Sequence, residues 1–313
     1  MPSSSDHDDC PGLQINDDCR GLQIMMIAPV FRPGEQKKNK NGFSHMSILD
    51  KIIQYKRSEV EKRKSEVSIS ELEKGFYFDR KTLSLKESLE KGNRTGIIAE
   101  FKRRSPSKGI INDAVNVIDV TTAYYENGAS ALSVLTDENF FGGSNEDIIE
   151  ARINDIPILR KDFIIDEYQL TEAKSIGADV ILLIAACLTP KEVKHLAGFA
   201  KGLGLEVLLE LHGENELEHI CDETELIGIN NRDLKTFGVN IGQSLMMAEK
   251  IPADKIKIAE SGISSVDDIM LFKENGFKGF LIGELFMKEA DPTIAFAEFV
   301  NTLRIMPPKA EGF

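Results

Sequence analysis

Eight short apolar or β-branched runs recur between residues 97 and 283, and segments with helical periodicity separate them. The runs are IIAEF (97–101), SALSVLT (130–136), IPILRKD (156–162), DVILLI (179–184), LEVLLEL (205–211), LIGIN (226–230), KIKIAESG (255–262) and GFLIG (279–283). Runs without polar alternation are typical of parallel strands that helices cover on both faces. The pattern therefore predicts eight consecutive strand–helix units.

The segments between these runs carry helix boundary signals. Several helical segments end in glycine, namely at Gly128, Gly177 and Gly276, and Thr189 before Pro190 is typical of a helix start. Eight units of this kind favour a (β/α)8 TIM barrel over an open doubly wound sheet, and no G-x-G-x-x-G follows the first run. We also predict an extra N-terminal helix over 47–65, before the first barrel strand, with Ser47 and Asp50 as its capping box.

The first 45 residues differ in character from the rest. The stretch DDCPGLQI (8–15) is repeated as DDCRGLQI (17–24), and Ser44-His45-Met46 resembles the junction left by a vector-derived leader. We therefore expect residues 1–45 to be such a leader or a disordered extension outside the fold. Residues 46–313 are predicted to form a single catalytic barrel domain.

Composition narrows the possible partners and the compartment. The formal net charge is −13, which disfavours binding to nucleic acid or to anionic membrane surfaces, and no apolar run approaches the length of a membrane span. The four cysteines are too few and too scattered for a disulfide framework or a zinc site. We expect a cytoplasmic protein, a monomer or a weak homodimer, that binds a small molecule.

Charged and amide side chains gather where the predicted strands end. They are Glu100 and Lys102 after the first run, Lys161 after the third, Glu210 after the fifth, Asn230 and Arg232 after the sixth, Glu260 and Ser261 after the seventh, and Glu284 after the eighth. In a barrel these ends form one rim, where the chemistry takes place. Opposite charges in a partly buried mouth shift one another's pKa, as acid–base chemistry requires.

The last two strand ends carry a second signal. Ser261-Gly262 and Gly283 allow backbone N–H groups to approach an anion closely, and the loops after the seventh and eighth strands of such barrels commonly bind phosphate. The sequence therefore predicts a phosphate site at these loops. Lys102 or Ser105 is expected to close over the same phosphate or over a second anion.

A series of motifs resembles the indole-3-glycerol phosphate synthase family. The motifs are IIAEFKRRSPSKG, ALSVLTDENFFGGS, PILRKDFIIDEYQ, LEVLLELH, IGINNRDLKTF, IAESGIS and GFLIGELFM, in order over residues 48 to about 303. The resemblance implies a lyase of tryptophan biosynthesis that uses no cofactor or metal. It would convert 1-(2-carboxyphenylamino)-1-deoxyribulose 5-phosphate to indole-3-glycerol phosphate, carbon dioxide and water.

The same resemblance implies roles for individual residues. Glu100, Lys102, Lys161, Glu210 and Asn230 would be catalytic: Lys102 meets an anionic group beside Glu100, Lys161 protonates the carbonyl oxygen, and Glu210 serves in the later proton transfers. The two lysines could also divide two proton transfers between them. The substrate would be bound by Ser105, Phe141, Phe163, Arg232, Ser261, Gly262, Leu281, Gly283 and Glu284. The Glu284 carboxylate must turn away from the phosphate. Asp162 is expected to orient Lys161 or to cap the next helix, and His212 to be structural.

Two other functions are alternatives to this one. A phosphoribosylanthranilate isomerase needs a Cys and Asp pair at strand ends, and neither Cys187 nor Cys221 lies on the first strand. A non-catalytic phosphate-binding barrel that acts as a partner subunit would not need the charged rim. The rim therefore favours the enzyme.

Overall fold

Eight parallel strands close into a barrel, as the sequence predicts. The computed structural model describes residues 47–233 and 238–306. The strands are β1 (Ile97–Phe101), β2 (Ala131–Leu135), β3 (Ile158–Lys161), β4 (Val180–Ile184), β5 (Glu206–Leu211), β6 (Leu226–Asn230), β7 (Ile256–Glu260) and β8 (Phe277–Ile282). Each strand pairs with its neighbours in sequence, and β1 pairs with β8 to close the barrel. The fold is a TIM barrel.

Twelve α-helices occur in the described residues. They are α1 (Ile48–Glu66), α2 (Ile69–Leu72), α3 (Leu85–Lys91), α4 (Val117–Glu126), α5 (Glu138–Phe141), α6 (Asn145–Ala151), α7 (Glu167–Ser175), α8 (Pro190–Gly202), α9 (Ile241–Ala248), α10 (Val266–Glu274), α11 (Glu284–Met287) and α12 (Pro292–Ile305). Two 3₁₀ turns, Ala185–Cys187 and Glu214–His219, follow β4 and β5. A two-stranded hairpin, Arg104–Ser105 with Gly109–Ile110, follows β1.

The predicted helix boundaries are confirmed where capping signals supported them. The Ser47 hydroxyl accepts a hydrogen bond from the Asp50 N–H at 3.1 Å, and the Asp50 carboxylate accepts one from the Ser47 N–H at 2.9 Å. Thr189 caps α8 in the same reciprocal way, with Pro190 in the first turn. The glycines expected at helix ends, Gly128, Gly177 and Gly276, all have positive φ. The extra N-terminal helix is therefore confirmed as α1.

Some strand boundaries differ from the prediction. The eighth strand begins at Phe277, before the predicted start, because its pairing with β7 shifts register between Phe277 and Gly279. The seventh strand ends at Glu260, so Ser261 and Gly262 lie in the following loop. The sequence does not reveal such a register shift, because it does not change the pattern of apolar residues along the strand.

The bottom of the barrel is closed by α3. Leu85 and Leu89 of this helix belong to the apolar cluster inside the barrel, which includes Ile98, Leu208 and Ile258. A larger cluster fills the layer between the strands and the outer helices. The closed bottom leaves the opposite end, at the C-terminal ends of the strands, as the accessible mouth.

Other expectations concern the leader, the cysteines and membranes. The tandem repeat, Cys10 and Cys19 lie outside the described residues. Cys187 and Cys221 are free thiols. Across residues 47–233 and 238–306, no helix is both long and apolar enough to cross a membrane.

Candidate active site

A single cavity at the C-terminal mouth of the barrel brings the predicted site residues together. It encloses about 1320 Å³, including its open mouth. All fourteen residues predicted to be catalytic or substrate-binding line it: Glu100, Lys102, Ser105, Phe141, Lys161, Phe163, Glu210, Asn230, Arg232, Ser261, Gly262, Leu281, Gly283 and Glu284. Residues that are far apart in sequence thus share one site.

Lys161 lies at the centre of this cavity between two buried carboxylates. Its Nζ is 2.9 Å from Oε2 of Glu210, at the end of β5, and 3.4 Å from Oε2 of Glu260, at the end of β7. The Glu260 side chain fits because residue 228 is glycine. A Cβ on Gly228 would lie 2.0 Å from Oε1 of Glu260. The chain therefore reserves space for this second carboxylate.

The three groups shift one another's pKa. Burial alone would lower the pKa of Lys161, but Glu210, Glu260 and Glu100 outweigh burial and raise it. Burial would likewise raise the pKa of Glu210, but Lys161 and His212 hold that pKa well below its usual range. Burial, reinforced by the charge on Glu210, raises the pKa of Glu260 to about 8 despite Lys161. At neutral pH the site therefore holds an ammonium, one carboxylate and one carboxylic acid.

Neighbouring side chains also contact Oε1 of Glu210, the carboxylate oxygen that does not pair with Lys161. The Asn230 amide donates a hydrogen bond to Oε1 of Glu210 at 3.0 Å, and Nε2 of His212 lies 3.1 Å from the same oxygen. The backbone N–H of Arg232 donates to the Asn230 side-chain oxygen at 3.0 Å, which orients that amide. The carboxylate is thus held rigidly toward the cavity.

Glu100 and Lys102, at the end of β1, are partners of each other. Oε1 of Glu100 is 2.5 Å from Nζ of Lys102, and both side chains face the cavity. The pairing explains how an apolar strand can end in charges of both signs at low cost, since each charge neutralises the other. Lys102 remains placed to meet an incoming anion.

The loops after β7 and β8 line the end of the cavity at which the sequence predicts an anion site. Ser261 has φ 64° and is the only non-glycine residue with positive φ among the described residues, and Gly262 follows with φ 71°. A Cβ on Gly262 would lie 2.3 Å from Val239, so the loop also requires glycine for space. Backbone turns of this kind present N–H groups to anions. A positive φ is uncommon for serine, so the surrounding structure must hold Ser261 in this conformation.

The Glu284 carboxylate turns toward cations. Its Oε2 is 3.5 Å from Nη2 of Arg232, and its Oε1 is 3.6 Å from Nζ of Lys108 in the hairpin after β1. The carboxylate thus lies between two cationic side chains. It also links the first loop to the eighth.

Apolar side chains form the remaining wall of the cavity. The Phe141 and Phe163 rings are 6.0 Å apart and tilted by 40°. Leu281 and three residues of α1, namely Ile48, Leu49 and Ile52, also line the cavity. The wall provides a flat slot next to the charged centre, and α1 covers part of the mouth.

Three side chains at the strand ends have contacts that the sequence did not predict. Glu260 was placed on the rim but given no role, although its position in IAESG, at a strand end, could have suggested one. His212 is expected to be structural, and its Nε2 lies 3.1 Å from Oε1 of Glu210. Asp162, which directly follows Lys161, does not cap α7; Asp166 caps that helix. The Asp162 carboxylate accepts the Phe163 N–H and pairs with Lys56.

In the described parts of the chain, no group of three or more His, Cys, Asp or Glu side chains is arranged to hold a metal ion. The cations of the cavity are lysine and arginine side chains.

Comparison with known proteins identifies relatives of the chain. The sequence model of indole-3-glycerol phosphate synthase matches residues 49–299. A protein named indole-3-glycerol phosphate synthase from Bacteroides thetaiotaomicron is 47% identical over 258 residues, which cover 82% of this chain and 99% of that one. One of the same name from Polaromonas sp. is 42% identical, over 80% of this chain and 97% of that one.

Solved structures support the fold. The tryptophan synthase α subunit from Legionella pneumophila aligns with a TM-score of 0.52 at 13% identity, over 70% of this chain and 96% of that one. A tryptophan synthase structure from Pyrococcus furiosus gives 0.52 at 16% identity, over 68% of this chain and 99% of that one. The match to the family model, together with relatives of more than 40% identity over nearly their whole length, identifies the chain: it belongs to the indole-3-glycerol phosphate synthase family.

Proposed function

We propose that the protein is an indole-3-glycerol phosphate synthase. It closes the pyrrole ring of 1-(2-carboxyphenylamino)-1-deoxyribulose 5-phosphate and releases carbon dioxide and water. The observation that carries this proposal is the position of Lys161 between Glu210 and Glu260 at 2.9 and 3.4 Å, inside a cavity with an aromatic slot and a separate anion loop. A substrate with an aromatic carboxylate at one end and a phosphate at the other matches that arrangement.

Lys161 acts as the general acid of ring closure. Its raised pKa keeps it protonated, so it can donate to the substrate carbonyl oxygen as the aromatic carbon attacks the carbonyl carbon. The new C–C bond makes the carbonyl oxygen a hydroxyl group. Loss of carbon dioxide from the ring carbon that attacked then returns the electron pair of the broken C–C bond to the ring and restores aromaticity.

Glu210 acts in the dehydration that follows. Its lowered pKa keeps it ionised, as a base that removes the C1′ proton must be, while the hydroxyl group leaves as hydroxide. The proton and the hydroxide together make up the water that is released. The Asn230 amide holds this carboxylate in place and is also within reach of substrate hydroxyl groups. Glu260, neutral below about pH 8, adds no second full negative charge near the substrate carboxylate.

The remaining predicted residues hold the two ends of the substrate. Lys102 and Arg232 provide the cationic side chains for the carboxylate end, and Phe141, Phe163 and Leu281 form the slot for the phenyl ring. The phosphate lies on the backbone N–H groups of Ser261 and Gly262 and of Gly283 and Glu284, with Ser105 closing from the first loop. Binding both ends fixes the reacting carbons at bonding distance.

Indole formation by the purified protein tests the proposal. The protein is mixed with the carboxyphenylamino-deoxyribulose phosphate in EDTA, and indole fluorescence is followed. We expect steady turnover by the wild type and a decrease of about 10²- to 10⁴-fold in Glu210→Gln. A folded wild type without turnover would reject the proposal and would leave a phosphate-binding barrel without this activity.

We also propose finer features of the same protein. Residues 46–313 form the catalytic domain, and the enzyme acts in the cytoplasm, without nucleic acid, as a monomer or a weak homodimer. Two free thiols, Cys187 and Cys221, agree with a reducing compartment. Light scattering at micromolar concentration measures the oligomeric state directly.

A further inference from the structure

A buried lysine lies outside the cavity at the centre of a charged cluster. Lys56, in the middle of α1, is only 1% exposed. Its Nζ is 2.8 Å from Oδ1 of Asp162, 2.9 Å from Oδ2 of Asp137 and 2.9 Å from Oε2 of Glu59. Burying an ammonium with three carboxylates is costly unless all of them are held in place. This cluster therefore joins α1, the end of β3 and the loop after β2 at a single point.

Two of these carboxylates hold residues that line the cavity. Asp162 directly follows Lys161, and its Oδ1 accepts the N–H of Phe163 at 2.8 Å. Asp137 caps α5, and its Oδ1 accepts the N–H of Phe140 at 2.7 Å and of Phe141 at 3.2 Å. One oxygen of Asp137 thus orients the backbone of the aromatic wall, and the other contacts Lys56.

Further pairs continue the cluster on the side away from the cavity. Arg160 is fully buried, and its Nη2 lies 2.6 Å from Glu172 and 3.4 Å from Asp162. Arg63 of α1 joins Glu59 at 2.6 Å and Glu172 at 3.0 Å. Arg160 therefore neutralises Asp162 in part. Among the cations described here, only Lys56 contacts Asp137.

We infer that Lys56 is a positioning residue: through Asp162 it holds Lys161 and Phe163, and through Asp137 it holds Phe141, in the geometry that the reaction needs. The inference rests on the proposed function. It assigns to α1 an electrostatic role besides its apolar cover of the mouth, because the helix carries an ammonium that joins two separate loops of the rim.

Kinetics of Lys56→Met test the inference. This change keeps the length of the side chain and removes its charge, which leaves Asp137 without a cation. We expect kcat to decrease by about tenfold to a hundredfold, as misplacement of a reacting group does, and KM to rise. The matched control is Lys64→Met on the same helix, where Lys64 pairs with Asp166 at 2.7 Å and is partly exposed. The control is expected to keep the wild-type kcat and KM.

A milder variant covers the case in which Lys56→Met does not fold. Asp137→Asn retains the N-cap oxygen and the pair of Lys56 with Asp162, and it removes only the charge link to the loop after β2. We expect KM to rise by about tenfold through the aromatic wall, with kcat within about twofold of the wild type because Lys161 stays in place. Wild-type kcat and KM in this folded variant would overturn the inference.

A crystal structure of Lys56→Met, or of Asp137→Asn if the first variant does not fold, separates this inference from the proposed function. Turnover by the wild type decides the function, whereas the structure of the variant reads the geometry without any activity. We expect the distance between the Phe141 and Phe163 rings, 6.0 Å in the wild type, to change. In Lys56→Met, the 2.9 Å pair of Lys161 with Glu210 should change as well. Unchanged distances would overturn the inference even if the enzyme is a synthase.

Discussion

At neutral pH the Lys161 ammonium lies between two glutamates of which only Glu210 is ionised. Burial raises the pKa of Glu260 to about 8, whereas Lys161 holds the pKa of Glu210 well below its usual range. Two carboxylates near one ammonium divide their protons in this way because a second buried negative charge would have no partner of its own. The pair therefore offers an acid and a base at one pH.

The raised pKa of Glu260 predicts a pH-dependent stability. The folded state binds this proton up to about pH 8, whereas the unfolded chain loses it near pH 4.5, so the free energy of unfolding decreases as pH rises between these values. Glu260→Gln lacks this proton. We expect the melting temperature of the wild type, measured from pH 5 to pH 8, to decrease more than that of the variant.

The lowered pKa of Glu210 acts outside this window, since its contribution to stability is lost only as pH falls below its unfolded value. His212, whose pKa is raised mainly by Glu210 against the effect of burial, is present in both proteins and serves as the common background. A difference in melting temperature that does not vary with pH would contradict the titration of Glu260.

A substitution at Gly228 tests the position of the Glu260 side chain by steric contact. Gly228→Ala places a Cβ 2.0 Å from Oε1 of Glu260, so the carboxylate must move away from Lys161. We expect a loss of about 1–3 kcal/mol in the free energy of unfolding and a lower kcat. Gly198→Ala is the control, because a Cβ there meets nothing within 4 Å in the middle of α8, and it is expected to be neutral or stabilising. Equal behaviour of the two variants would argue against a required position for Glu260.

The elements were predictable where sequence period and capping chemistry agreed. All eight strands and α1 were predicted, because apolar runs and a capping box are local signals. The short helices α3 and α11 carry too few turns for a periodic pattern, and the register shift in β8 depends on its pairing with β7. The phosphate loop was predicted from its glycine, whereas the positive φ of Ser261 was not, since serine does not favour it.

The loop after β7 is the element on which phosphate binding is predicted to depend. Gly262→Ala has to resolve a contact of 2.3 Å with Val239 and a φ of 71°, so the loop must shift. We expect KM for the phosphorylated substrate to rise by about tenfold or more, with a smaller change in kcat, because the phosphate takes no part in the bond changes. Steady-state kinetics at several substrate concentrations measure both constants. An unchanged KM would remove this loop from the phosphate site.

At the scale of the whole molecule, the barrel brings together residues that the chain keeps far apart. The closed strand order aligns the ends of β1, β3, β5, β6 and β7 on one rim, so the membership of the site was predictable once the barrel was. The distances within it were not, because Lys161 and Glu210 meet across the barrel mouth. The pairing of Lys56 with Asp162 was missed because a buried lysine on a mainly polar helix resembles a solvated one.

Truncation tests the predicted organisation of the chain. A protein that begins at Met46 retains Ser47 and the capping box of α1, together with every residue of the cavity. We expect its kcat, KM and melting temperature to equal those of the full chain. A large loss of turnover in the truncated protein would give residues 1–45 a part in the enzyme.

We propose that Lys161 donates the proton in ring closure and that Lys102 binds the substrate. Steady-state kinetics over a range of substrate concentrations measure kcat and KM for Lys161→Met and Lys102→Met. We predict that Lys161→Met lowers kcat by about 10²- to 10⁴-fold and that Lys102→Met mainly raises KM. A folded Lys161→Met protein that keeps kcat within about tenfold of the wild type would show that Lys161 is not the general acid of ring closure.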